Sequence, residues 1–298
     1  MTADGPVEEP ALPDIHSDVA RKIADEHGLR QVGIRPPLGS YIRETWQKRR
    51  FLWTLASSQA VSRNQDNYLG QLWTVLNPLA LALAYWLVFG LLLGTREGTE
   101  NYVAFLTSGI FTFVMISGIL TSGSRSIIRN IGLVRALRFP RCFLPLSVVI
   151  SEMLVALPAF AVLFVILIAT GEPLSWTWLL FPAALLNIFF ISSGIAMIAA
   201  RILETSRDLG NLIPIIIRLF RYISGVFFSI EAYAGTGLIG NLMYYQPIAA
   251  SLSIVRQSLL SEFAPTFTLW LASLLWSIAL FAVGYVMFWR AEARYGRG

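Results

Sequence analysis

The 298-residue chain is 55% hydrophobic and only 14% charged, with a mean hydropathy of +0.62, a balance that excludes an ordinary water-soluble domain and makes the bilayer its solvent. Its net charge of +5 rests on 23 basic residues, of which only Lys22 and Lys48 are lysine; the arginines gather between apolar runs, which is a mark of membrane topology and not of nucleic-acid binding. A single cysteine, Cys142, and two histidines, His16 and His27 in the polar amino-terminal stretch, exclude an internal disulfide and a cysteine-built zinc site, so no metal is expected.

Residues 1–40 are acidic and proline-bearing, with Asp4, Glu8, Glu9, Asp14 and Asp18 set among Pro6, Pro10, Pro13, Pro36 and Pro37. That composition predicts a loosely held cytoplasmic tail. No basic start leads into an apolar stretch, so no signal peptide is expected and the amino end stays where it is made. Residues 41–60 predict an amphipathic helix. At about 100° per residue, Tyr41, Ile42, Trp46, Leu52, Trp53, Leu55 and Ala56 share one arc and Arg43, Glu44, Gln47, Arg50 and Ser58 the opposite one, while Arg49 and Phe51 fall out of pattern. Such a helix lies along the headgroups or packs on a soluble partner.

The rest, 61–298, reads as one all-α transmembrane domain. Crossing about 30 Å of hydrocarbon at about 1.5 Å per residue takes roughly 20 apolar residues. Six stretches qualify: 72–94, 102–122, 143–170, 178–200, 209–230 and 266–289. The fifth is the weakest, because Arg218 and Arg221 interrupt it at about 2.5–3.5 kcal/mol each on insertion scales. A seventh apolar piece, 238–255, is split by Gly240, Asn241 and the Gln246–Pro247 pair, and is expected to be re-entrant on the outer side. Six spans put the amino-terminal basic residues, Arg125, Arg129, Arg135, Arg138, Arg141, Arg201, Arg207, Arg290, Arg294 and Arg297 on the cytoplasmic side and leave only Arg96 and Arg256 outside. Both termini are then cytoplasmic.

Chemistry is scarce along this chain. A phosphate cradle ends in glycine followed by lysine and a hydroxyl residue, and neither lysine here follows a glycine. Nucleotide hydrolysis must come from another chain. Glu152, Glu204, Asp208 and Glu231, the acids within or beside the spans, are too scattered for paired acid–base work, so no catalytic residue is expected. The loop 124–141 is different. It carries five arginines and no acid, interleaved with Ile127, Ile128, Ile131, Leu133, Val134 and Leu137, and ends at Phe139–Pro140. Two readings stand: a docking surface for a cytoplasmic partner, or a topology signal resting on anionic lipid.

The run Asn130, Leu133, Val134, Arg135, Phe139, Pro140, Arg141 followed by Leu144–Pro145 resembles the signature loop of ABC-2 type permeases that export polysaccharides. Further matches follow in order: Leu69, Gly70, Leu72, Trp73, Leu76 and Pro78 at the first span, Arg207–Asp208–Leu209 before the fifth, and Gln246–Pro247 with Arg256 before the last. The stretch from Arg63 to Gly70 and Ser224–Gly225–Val226 depart from the family pattern, which bears on cargo more than on fold. The resemblance implies a coupling helix over 126–137, with Ser126, Asn130, Leu133, Val134, Arg135, Leu137 and Arg138 seated on a separate nucleotide-binding ATPase subunit. ATP and Mg would belong to that subunit and no cofactor to this chain.

It also implies a homodimer around a path for lipid-linked polysaccharide such as O-antigen, teichoic acid or galactan, the actinobacterial galactan exporter being the relative suggested by the arginine-rich composition. One bundle is too small to enclose a sugar chain by itself. Phe220, Tyr222, Phe227 and Phe228 on the fifth span are candidates to line that path, since sugar faces pack on aromatic rings. Arg218 and Arg221 either meet a polyprenyl diphosphate, or snorkel or pair with Glu152 or Glu231. Rival readings are another export cargo, a membrane-embedded transferase and an ion-coupled transporter. The missing histidines and acid clusters oppose the second, and the missing internal repeat opposes the third.

Overall fold

The structure, a computed structural model, describes residues 26, 37–63, 70–92, 94, 98–235 and 237–292. Most of the expected tail, the motif residues 64–69, Arg96, Arg294 and Arg297 lie outside the described residues. Within them every regular element is helical. Two short helices come first, α1 (Leu38–Gln47) and α2 (Arg49–Ser62). The single amphipathic helix expected over 41–60 is therefore bent at Lys48, whose ammonium bonds Glu44 at 2.7 Å and the Arg138 carbonyl at 2.9 Å. The expected apolar arc divides in consequence: Tyr41 and Ala56 are buried in the bundle, while Ile42, Trp46 and Trp53 remain exposed.

The bundle proper consists of α3 (Trp73–Tyr85, continued by a π turn over Trp86–Leu92), α4 (Tyr102–Ser124), α5 (Ser126–Arg129), α6 (Ile131–Ala136), α7 (Phe143–Ala169) and α8 (Phe181–Thr205, led in by the 3₁₀ turn Trp176–Leu180). Then come α9 (Leu212–Ile223), α10 (Ile230–Ala234), α11 (Leu238–Tyr245), α12 (Pro247–Leu259) and α13 (Phe267–Ala291). Among the described residues five helical segments are long and apolar enough to cross a bilayer: Trp73–Leu92, Tyr102–Ser124, Phe143–Ala169, Trp176–Thr205 and Phe267–Ala291. They correspond to five of the six expected spans.

The stretch expected as the other span, 209–230, is broken: the 3₁₀ turn Arg207–Asn211 leads into a 12-residue α-helix, about 18 Å long, and a turn follows it. The chain leaves the helix because Gly225 takes φ +65°, a conformation that L side chains rarely adopt, and a Cβ there would come within 2.6 Å of Ile230. The expected break at Gln246–Pro247 is present, with Gln246 extended (ψ 151°) and Pro247 opening α12. Neither α11 nor α12 reaches across. Instead α12 is buried almost throughout, wedged among α4, α8 and α13.

In lipid, helices gain nothing by hiding apolar surface from one another, so close backbone packing and hydrogen bonds must hold them. The seam between α8 and α13 does so with glycines. A Cβ on Gly194 would lie 2.3 Å from the Leu280 carbonyl carbon, and one on Gly284 would lie 2.7 Å from the Gly194 oxygen. Ser273 Oγ donates to Asn187 Oδ1 at 2.7 Å and Ser277 Oγ to the Asn187 carbonyl at 3.2 Å along the same seam. At one end of the bundle Asn101 caps α4 and donates to Thr170 and Glu172, whose carboxylate also accepts from Ser261. The other end is the arginine-rich one.

Candidate functional site

At the arginine-rich end the loop between α4 and α7 forms a knob. Its expected single helix over 126–137 is two pieces, α5 and α6, because Asn130 leaves helical geometry (φ −113°, ψ 26°) and donates its side-chain amide to the Ser126 carbonyl at 2.8 Å. Ile127 and Val134, each 2% exposed, pin the knob to the bundle. Ser126 is buried as well, so of the expected coupling residues Ser126 and Val134 lie beneath the knob's surface. Asn130 and Leu133 are half-buried; Arg135, Leu137 and Arg138 are exposed. Ile128 and Ile131 join Leu137 as exposed apolar side chains on this knob, among Arg129, Arg135 and Arg138.

The knob does not hang free. Phe51 of α2 packs its ring against Phe139 at 5.3 Å and Phe143 at 6.2 Å, which explains why it fell off the apolar arc. Lys48 holds the Arg138 carbonyl. Behind these, Tyr41 Oη donates to Glu292 Oε2 at 2.9 Å, the Arg141 amide donates to the same carboxylate at 3.2 Å, and Thr45 shares a 2.9 Å hydrogen bond with Tyr285. One clasp thus joins α1, α2, the base of the knob and the end of α13.

Burial dominates the protonation of this clasp. It raises the Tyr41 phenol, pushes the Cys142 thiol up to about 12, and lowers Arg141; a thiol so held is inert. Burial also pushes the Glu292 carboxyl up to about 7, partly offset by the Tyr41 and Arg141 hydrogen bonds. The folded chain therefore binds this proton more tightly than an unfolded one at 4.5. The resulting stability is complete below about pH 4.5 and is lost as pH rises through about 7. The thermal midpoint of the detergent-purified chain should fall between about pH 5 and 8, and Glu292→Gln should flatten that fall. An unchanged slope in the variant would assign it to another group.

On the flank of the bundle, α9 places Arg218 and Tyr222 exposed and one turn apart. Arg221 is half-buried, with Nη1 3.4 Å from Tyr85 Oη and its guanidinium 5.5 Å from the Phe113 ring. Phe220 is half-buried too. The other two expected path residues lie beyond α9, in the turn 224–229. Phe227 is fully buried against Tyr85 at 4.2 Å and Phe89 at 5.0 Å, and Phe228 packs on Tyr233 at 5.6 Å. Of the four aromatic residues expected to line the path, Tyr222 is exposed, Phe220 and Phe228 are half-buried and Phe227 is buried.

That turn is held by a residue the sequence reading placed in an outer loop. Arg256 of α12 is 5% exposed and donates to the carbonyls of Gly225 at 2.8 Å, Val226 at 3.0 Å and Phe105 at 3.3 Å, with its guanidinium 3.4 Å from the Phe105 ring centre. Tyr102 Oη donates to the Phe227 carbonyl at 2.9 Å, and Gln246 Nε2 to the Ile223 carbonyl at 3.0 Å. Glu152, considered above as a partner for the α9 arginines, pairs instead with Arg63 at the end of α2. This ion pair borders two cavities, one of ≈ 320 Å³ toward the knob and one of ≈ 140 Å³ among α3, α4 and α7. Among the described residues no group of three or more His, Cys, Asp or Glu could hold a metal.

Residues 50–260 match the family model described as ABC-2 type transporter. The chain is 26% identical over 256 residues to the O-antigen export system permease protein RfbA of Myxococcus xanthus, an alignment covering 85% of this chain and 94% of that protein. It is also similar to two proteins of the same name from Klebsiella pneumoniae. One is 31% identical over 169 residues, or 56% of this chain and 64% of the relative. The other is 27% identical over 197 residues, or 65% and 74%.

Proposed function

The chain belongs to the ABC-2 type transporter family, and from that premise we propose that it is the permease subunit of an exporter moving polyprenyl-diphosphate-linked polysaccharide across a bacterial inner membrane. A galactan is the first polymer to test. The observation that carries the reading is the knob: Ile128, Ile131 and Leu137 stand exposed among arginines, on a chain whose two lysines form no phosphate cradle. An apolar centre ringed by cations suits an acidic-rimmed groove on a nucleotide-binding subunit. That subunit would hold ATP and Mg, and the arginine-rich end, with both termini, would face the cytoplasm.

Two copies of the chain would enclose the path. The outward faces of α3 and α9, with Leu83, Leu87 and Leu91 on one and Ile215, Ile216 and Leu219 on the other, are exposed in the single bundle and available to a second copy. Arg218 and Tyr222 lie on this flank. Closure of the ATPase pair would press the knobs, and the clasp would pass the displacement to α1, α2 and α13. Reconstitution with the ATPase subunit in vesicles tests the reading by ATP-dependent uptake of the lipid-linked polymer. The double variant Arg218→Ala, Arg221→Ala should reduce transport at least about tenfold at equal membrane content, since each charge-assisted contact contributes about 1.5–3 kcal/mol. Full transport by that variant would remove both arginines from the path.

A further inference from the structure

We propose that the two cavities flanking Arg63 and Glu152 form one seat for the head of a polyprenyl diphosphate, in which Glu152 is a resident anion that the ligand displaces. The proposal rests on the cargo class given above and locates where its lipid carrier is held. The larger cavity is lined by Ser62 and Arg63 of α2, Ser126, Arg129 and Asn130 of the knob, and Glu152 of α7. Arg63 and Arg129 both line it, and Arg63 is paired with Glu152. Diphosphate carries more negative charge than a carboxylate and accepts arginine's planar donor pair, so it is the natural competitor for Arg63.

Three further observations point to a ligand of this class. Ser126 Oγ is buried, at 1% exposure, and has no hydrogen-bond partner among the described residues; an orphaned buried hydroxyl is costly, and a phosphate oxygen would satisfy it. Glu152 is 7% exposed on a helix that crosses the membrane, about 14 Å along α7 from Phe143, below the depth at which a free carboxylate is well solvated. The smaller cavity shares Arg63 and Glu152 and sets Thr74 and Asn77 beside apolar walls that include Trp73, Pro78, Phe111 and Met115. Apolar walls beside an ion pair suit an amphiphile whose charged head adjoins a hydrocarbon chain, and a free phosphate would have no use for those walls.

The seat has a consequence for coupling. Ser126, Arg129 and Asn130 belong to the same knob as the exposed Ile128 and Ile131, so a head bound there touches the element that faces the ATPase. By linkage, whatever the ligand does to the knob's position the knob does in return to ligand affinity.

The test measures binding of undecaprenyl diphosphate to the full permease–ATPase complex in nanodiscs of zwitterionic lipid, with inorganic diphosphate and phosphatidylglycerol as comparison probes. The undecaprenyl diphosphate should bind at least about tenfold more tightly than either. Arg63→Ala should weaken it more than about tenfold, and Ser126→Ala, which breaks no hydrogen bond of the described structure, by about fivefold. Glu152→Gln should tighten it about tenfold, because the competing charge is gone while a hydrogen-bond acceptor stays. Weaker binding in Glu152→Gln, or wild-type binding in Arg63→Ala and Ser126→Ala, would overturn the seat and leave the permease reading standing. Equal affinity for inorganic diphosphate would overturn the lipid assignment. Absence of any binding by a complex that still exports another cargo would overturn both this seat and the proposed cargo.

Discussion

Aspartate at both Ile131 and Leu137 should strip the proposed ATPase subunit from the permease. The two side chains are 41% and 47% exposed on the knob, and neither anchors it. Aspartate at either position would have to be desolvated without a partner inside an apolar contact. It would also cancel the positive field of Arg129, Arg135 and Arg138 toward an acidic groove. At about 2 kcal/mol for each centrally placed contact, the double change weakens association on the order of a thousandfold. Co-purification and ATP turnover of the mixed subunits read the effect. Gly132→Ala is the control, since an added Cβ meets nothing within 4 Å. Intact co-purification of the double variant would remove α5 and α6 from the interface.

Arg256→Met should unseat the turn after α9. The change takes the Arg256 donors from the buried carbonyls of Gly225 and Val226, leaves the Phe105 carbonyl with Ser108 Oγ in place of two side-chain donors, and removes the cation over the Phe105 ring. Breaking a buried charged network of this kind costs about 3–5 kcal/mol, and about 3 kcal/mol lowers the thermal midpoint of a chain this large by roughly 5 °C. Lysine should not rescue it, because a single ammonium cannot reproduce a planar fork spread over three carbonyls. A wild-type midpoint in Arg256→Lys would show that charge alone suffices.

The sequence reading succeeded where apolar length or backbone chemistry decides the outcome. The long helices follow from uninterrupted apolar runs, and the Gln246–Pro247 break follows from the geometry of proline. It failed at facing. In a membrane protein the lipid-facing and core-facing sides of a helix are both apolar, so periodicity could not tell that Phe227 is buried while Tyr222 is open. Partners distant along the chain were equally invisible: Phe51 with Phe139, Arg63 with Glu152, and Arg256 with the Phe105 carbonyl. The one available sign for Phe51 was its misfit on the amphipathic arc, which in retrospect marks a second contact direction. The short α9 was foreshadowed by Gly225, but a glycine in an apolar run announces a turn only when its φ is known.

The glycine seam between α8 and α13 fixes which parts of the exporter can do mechanical work. Gly194 and Gly284 bring two backbones into direct contact and Asn187 is satisfied across the joint, so parting these helices would strand polar groups in hydrocarbon with no water to receive them. The pair would therefore move as one body under any displacement that the clasp passes to α13. Under the proposed function, relative motion at the arginine-rich end would then fall to α3 and α9, which pack on α4 with their outer faces bare, and a cross-link locking either to α4 should stall the cycle while leaving the protein folded.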